Sequence, residues 1–76
     1  MTLDQTINFA VAAIRQFLSE RPDSADTLDG IHRWWIRWPY QEESSLCTLS
    51  ALERLEASGD VEQFRAGCSI LWRRKR

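Results

Sequence analysis

Seventy-six residues allow one domain with a thin core, because a folded chain of this size hides only about 60% of the surface its unfolded form exposes. Apolar residues at 43% and charged residues at 28% exclude intrinsic disorder, and the lack of any apolar run of about eighteen residues excludes a transmembrane helix. The net charge of -1 conceals an asymmetry: residues 1–60 carry five arginines against ten acids (5 - 10 = -5), and residues 61–76 carry five bases against Glu62 (5 - 1 = +4).

The chain starts without the basic opening and apolar stretch of a signal peptide, so a cytoplasmic protein without a membrane partner is expected. The first periodic segment is QTINFAVAAIRQFLSE, where Ile7, Ala10, Val11, Ile14, Phe17 and Leu18 recur on one helical face. Asp4 or Thr6 can cap its start, and Arg21-Pro22 stops it, since a residue before proline is pushed out of the helical region. The segment TLDGIHRWWIRW follows, capped by Asp26 or Thr27 and broken by Pro39. Ile31, Trp34, Trp35 and Trp38 stand at i, i+3, i+4 and i+7, one stripe facing a packed interior. A three-helix core cannot enclose every ring here, so at least one tryptophan is expected to be partly exposed. His32, on the same helix, is expected at the surface or in a cap.

After the polar connection PYQEESS, Ser44 or Ser45 caps a third helix in which Leu46, Leu49, Leu52 and Leu55 repeat every three residues, and Gly59 is the expected stop. The last segment changes character. VEQFR and SILWR are short and rich in strand formers, and Ala66-Gly67-Cys68 between them predicts a β-hairpin with Gly67 at positive φ. Cys47 and Cys68 are too few for a disulfide framework, so two buried thiols are expected. With His32 they show no paired ligand spacing, so neither a metal nor a cofactor is expected. The chain has no phosphate loop, nucleophile motif or carboxylate pair, and it is not expected to be an enzyme.

Three helices and a hairpin, the third helix running directly into the first strand, is the order of a winged helix-turn-helix. The stretch ALERLEASGDVEQFRAGCSILWRRK resembles the pattern of that superfamily: a leucine-spaced helix ending in glycine, an aliphatic residue, a charged strand, a glycine-containing wing tip and a second strand. Leu52, Leu55, Gly59 and Val61 hold the first positions, Ala66-Gly67 the tip, and Ile70 to Trp72 the second strand. The order covers nearly the whole chain and the motif its last third. The expected fold is α+β, a three-helix core with a C-terminal β-hairpin wing, in one domain over residues 1–76. Its helices are expected at about 5–20, 27–38 and 45–58, its hairpin at about 61–73 and a basic tail at 74–76.

The resemblance implies double-stranded DNA binding and transcriptional regulation, with the third helix in the major groove and the wing on the backbone or minor groove. Transferred by position, the DNA-binding residues are Ser45, Thr48, Ser50, Arg54, Arg65, Arg73 and Arg74. Ser44, Cys47, Glu53, Gln63 and Ser69 lie among them. Against this, the third helix carries Glu53 and Glu56 and is approached through Glu42 and Glu43, whereas duplex affinity comes largely from phosphates neutralised by Lys and Arg. The alternative is a protein-docking winged helix without DNA contact, centred on Trp35, Trp38 and Tyr40 with Ile36 and Arg37 nearby. A first helix with a face wider than the core needs would instead support a homodimer. The basic end is a phosphate-binding arm under the DNA reading and a solvated tail otherwise. The two main readings separate on whether Arg54, Arg65, Arg73 and Arg74 share one face.

Overall fold

The computed structural model describes residues 2–76. It is an α+β arrangement of three helices and a C-terminal antiparallel hairpin, in a winged-helix-like order. Helix α1 is Leu3–Glu20, strand β1 Ala25–Asp26, and helix α2 Leu28–Gly30, which runs without a break into a π-helical segment, Ile31–Trp35. Helix α3 is Ser45–Ala57, and strands β2 (Val61–Ala66) and β3 (Ser69–Arg74) form the hairpin. Among the described residues, no helix is long and apolar enough to cross a membrane.

Helix α1 starts earlier than expected. Its cap is Thr2, whose hydroxyl accepts from the Gln5 backbone while the Gln5 side chain accepts from the Thr2 backbone N–H. Thr6, a candidate cap, is instead buried one turn in and donates to the Thr2 carbonyl. Thr27 caps α2 by accepting from Gly30, and Ser44 caps α3 by accepting from Leu46. At Gly30 an added methyl group would meet the Asp26 carboxylate, which would have to swing aside and give up its bond from the Thr27 N–H.

The second helix is shorter than expected and has a different interior. It ends at Trp35, and Ile36 is already extended, three residues before Pro39. A turn closed by i→i+5 bonds holds more residues than an α turn, so each residue advances through a smaller angle. Ile31 and Trp35 stay aligned on the core, while Trp34 falls short of that face and points to solvent. The extended backbone after Trp35 turns Ile36 inward, where it is buried, and takes Trp38 off the stripe.

The leucine repeat of α3 also divides. A step of three residues falls about 60° short of a full α-helical circle, so Leu46 sits about half a circle from Leu55. Leu46 is 68% exposed and Leu49 half-buried, while the buried face is Cys47, Thr48, Ala51, Leu52 and Leu55.

Strand β1 was not expected. It pairs antiparallel with the base of β3, Ala25 opposite Arg73 and Asp26 opposite Trp72, giving the sheet order β1-β3-β2. Gly59 (φ +83°) ends the third helix, as expected, and Gly67 (φ +62°) takes the expected positive-φ position in the hairpin turn. The core joins Ile7, Ala10, Ile14 and Leu18 of α1 to the buried faces of the other helices, and Val61 and Trp72 close it from the hairpin.

Candidate functional site

The four arginines on which the DNA reading turns do not form one face. Arg54 points back to α1, where its Nη1 donates to Asn8 Oδ1 at 2.6 Å. Directly paired hairpin residues share a face of the sheet. Val61, Gln63, Arg65, Ile70, Trp72 and Arg74 therefore lie on the core side, and Glu62, Phe64, Leu71 and Arg73 on the other. Arg73 and Arg74 thus point to opposite faces. Arg73 is half-buried, its Nε donating to Glu62 Oε2 at 2.8 Å and its guanidinium lying 4.2 Å from the Phe64 ring centre. Arg65 and Arg74 share the core-side face, four rungs apart, which is about 13 Å along a strand. Arg74 borders a shallow cleft with Arg15, Leu18, Leu55 and Asp60 at the base of the sheet.

Helix α3 supplies less of a reading surface than its sequence suggested. Ser45 is exposed and Ser50 half-buried, but Thr48 is fully buried and cannot reach a groove. Its hydroxyl is occupied: Thr48 Oγ1 and His32 Nδ1 lie 2.6 Å apart. Cys47 is buried beside it. Leu46, Glu53 and Glu56 are exposed, and the one arginine of the helix is held by Asn8.

His32, expected at the surface, is buried. Its ring bridges α3 and the following loop, with Nε2 3.4 Å from Glu42 Oε2 and the Trp38 ring 5.3 Å away, centre to centre. Trp38 Nε1 donates to the His32 carbonyl at 3.1 Å, satisfying an acceptor that the end of the π segment leaves free. A hydroxyl, an imidazole and a carboxylate in a row have the composition of a catalytic triad. The hydroxyl is sealed from any substrate, so the arrangement serves to clamp the loop onto α3. Cys68 departs from expectation in the other direction: it is exposed, because the hairpin turn projects past the core. Among the described residues there is no cluster of three or more His, Cys, Asp or Glu side chains able to hold a metal ion.

The aromatic residues redistribute. Trp35, expected at the centre of a docking surface, is buried and stacked on Phe17 with ring centres 4.4 Å apart and planes 12° from parallel. Trp38 is half-buried, 5.8 Å from Phe9. Tyr40 is 93% exposed on the loop after Pro39. Trp34, which the stripe placed inside, is 76% exposed. It stands on the wall of an open groove of about 410 Å³ between α1 and the second helix. Phe9, Phe17 and Trp35 line that groove, with Arg21 and Arg37 at its edges. The Arg21 guanidinium lies 4.9 Å from the Phe17 ring centre. Phe9, Ala13 and Phe17 are half-buried, so the apolar face of α1 is wider than the core uses. Only the excess of rings in the sequence signalled this groove.

Comparison of the chain with family models, curated proteins and solved structures yields no match.

Proposed function

We propose that this chain is a winged-helix protein-docking module whose contact surface is the groove between α1 and the second helix. The observation that carries the reading is Trp34, three-quarters exposed beside the half-buried rings of Phe9 and Phe17. Soluble domains seldom leave contiguous aromatic surface open unless something covers it, and tryptophan and arginine dominate interface hot spots. The dispersal of Arg54, Arg65, Arg73 and Arg74 favours the same reading over DNA. The rest of the fold serves as scaffold: the Thr48–His32–Glu42 row and the Trp38 bond hold the second helix and its exit at a set angle to α3.

A second reading keeps double-stranded DNA as the ligand and transcriptional regulation as the role. It draws on the winged-helix-like order and on exposed Arg65, Arg74, Lys75 and Arg76, with Ser45 at the start of α3. Backbone amide NMR separates the two. Titration with a capped neutral peptide bearing Leu and Phe is expected to shift Phe9, Phe17, Trp34 and Arg37. Titration with a mixed-sequence duplex is expected to leave α3 unshifted. Duplex-induced shifts on α3 and residues 65–76 that fade as salt rises would replace docking with DNA binding.

A further inference from the structure

Resting on that docking reading, we infer that the partner is an acidic protein segment carrying a large apolar side chain, with the apolar group on Phe9 and Trp34 and its carboxylates on Arg21 and Arg37. Five arginines precede the hairpin. Three are already engaged inside the chain: Arg15 with Asp60 at 2.8 Å, Arg33 with Asp29 at 3.2 Å, and Arg54 with Asn8 at 2.6 Å. Arg21 and Arg37 make no ion pair or hydrogen bond from their guanidinium groups among the described residues, and both lie on the same groove. The chance that the two unengaged groups border one aromatic surface by accident is reduced by how acidic the surroundings are. Residues 1–60 carry ten acids against five arginines, yet the groove lining holds two arginines against a single acid, Glu20. That acid is itself occupied, since Gln16 Nε2 donates to Glu20 Oε1 at 3.2 Å.

Arg21 is held where a carboxylate can reach it. Its guanidinium rests near the Phe17 ring, which holds the group at the groove and leaves its outward N–H donors free for a carboxylate. The groove therefore offers an aromatic wall and floor with cationic donors at the rim, the arrangement that selects an apolar anchor flanked by negative charge. A basic segment would meet two unscreened arginines, and a neutral one would leave them solvated with nothing gained.

The test uses the whole chain and three capped peptides of equal length with the same Leu and Phe anchors, their other positions Asp/Glu, Ser/Gln or Lys. Tryptophan fluorescence and amide NMR read binding, and light scattering without peptide reads the oligomeric state. The acidic peptide is expected to bind roughly two- to thirtyfold tighter than the neutral one at low ionic strength, the range that two exposed charge pairs give. The gap should narrow as salt is raised. The Arg21→Gln/Arg37→Gln double variant should abolish the gap, bringing the acidic and neutral peptides to the same affinity. Equal binding of acidic and neutral peptides in the groove would overturn the acidic partner and leave the docking reading standing. Absence of groove shifts with all three peptides would overturn both. A concentration-dependent dimer with groove shifts in the absence of peptide would make a second copy of the chain the occupant and overturn the inference.

Discussion

Single residues here do work that their types did not announce. Thr48 and His32 are buried against each other, so each is the other's only route to a satisfied polar group on that side. Replacing Thr48 with Val keeps the shape and orphans His32 Nδ1. The expected loss is about 1–3 kcal/mol in urea unfolding. A loss below about 0.5 kcal/mol, the level of an ordinary surface change, would show that the imidazole does not depend on this hydroxyl. Asp60 behaves differently because its carboxylate is only half-buried. The Ser58 hydroxyl first, then the Arg15 guanidinium, hydrogen-bond its carboxylate and hold its pKa below 3.8, against a smaller opposing effect of desolvation. A folded pKa below the unfolded one means that the charged form favours folding. That stability is present above the ordinary aspartate range and is lost as pH falls through the folded value. An Asp60→Asn variant should melt below the wild type at neutral pH, and the two should converge as pH drops below about 4. Parallel melting curves down to pH 2 would contradict this.

At the scale of elements, the deciding quantity is rotation per residue. The leucine repeat of α3 and the tryptophan stripe of the second helix both looked like single faces, and neither is one. Leu52 is fully buried at the centre of α3, whereas Leu46 faces solvent. Leu52→Ala should cost roughly 2–5 kcal/mol. Leu46→Ala should fall within about 0.5 kcal/mol of wild type. Comparable losses at both positions would mean that Leu46 is covered in solution. Helix existence was legible because amphipathic spacing in α1 and α3 is long and regular. The π segment was not, since i→i+5 bonding follows from how Ile31, Trp35 and Ile36 pack and not from the propensities of IHRWW. The docking candidates inherited this error. The stripe puts Trp34 and Trp35 on one face and the docking reading centres on Trp35, whereas the wider turn keeps Trp35 inside and leaves Trp34 exposed.

For the molecule as a whole, the sheet is three strands wide only at its base. Beyond Leu71 the hairpin has no neighbour on either side, because β1 reaches only Arg73 and Trp72. Two-stranded ribbons are marginal in water without an apolar face to bury. The turn residues Gly67 and Cys68 lie outside the core altogether. Amide hydrogen exchange should therefore be fast by local opening at Phe64 and Leu71, whose N–H groups bond across the ribbon, and slow at Glu62 and Arg73, which bond across its base. Uniform protection along the hairpin would point to an additional layer over its tip.

Taken by itself, the sequence determined the α+β class, the order of three helices and a hairpin, the stop at Gly59 and the positive-φ glycine at position 67. These follow from local rules: periodicity, caps, proline breaks and turn residues act within a few positions of one another. Only the tertiary structure decided that β1 exists, that His32 goes inside, that Cys68 stays out, and which tryptophan meets solvent. Each of these depends on what packs against a residue from a distant part of the chain. Strand β1 has too few residues to signal itself and forms because Trp72 and Arg73 present an open edge, and Trp34 is exposed because the core behind it is already filled by Ile31, Trp35 and Ile36.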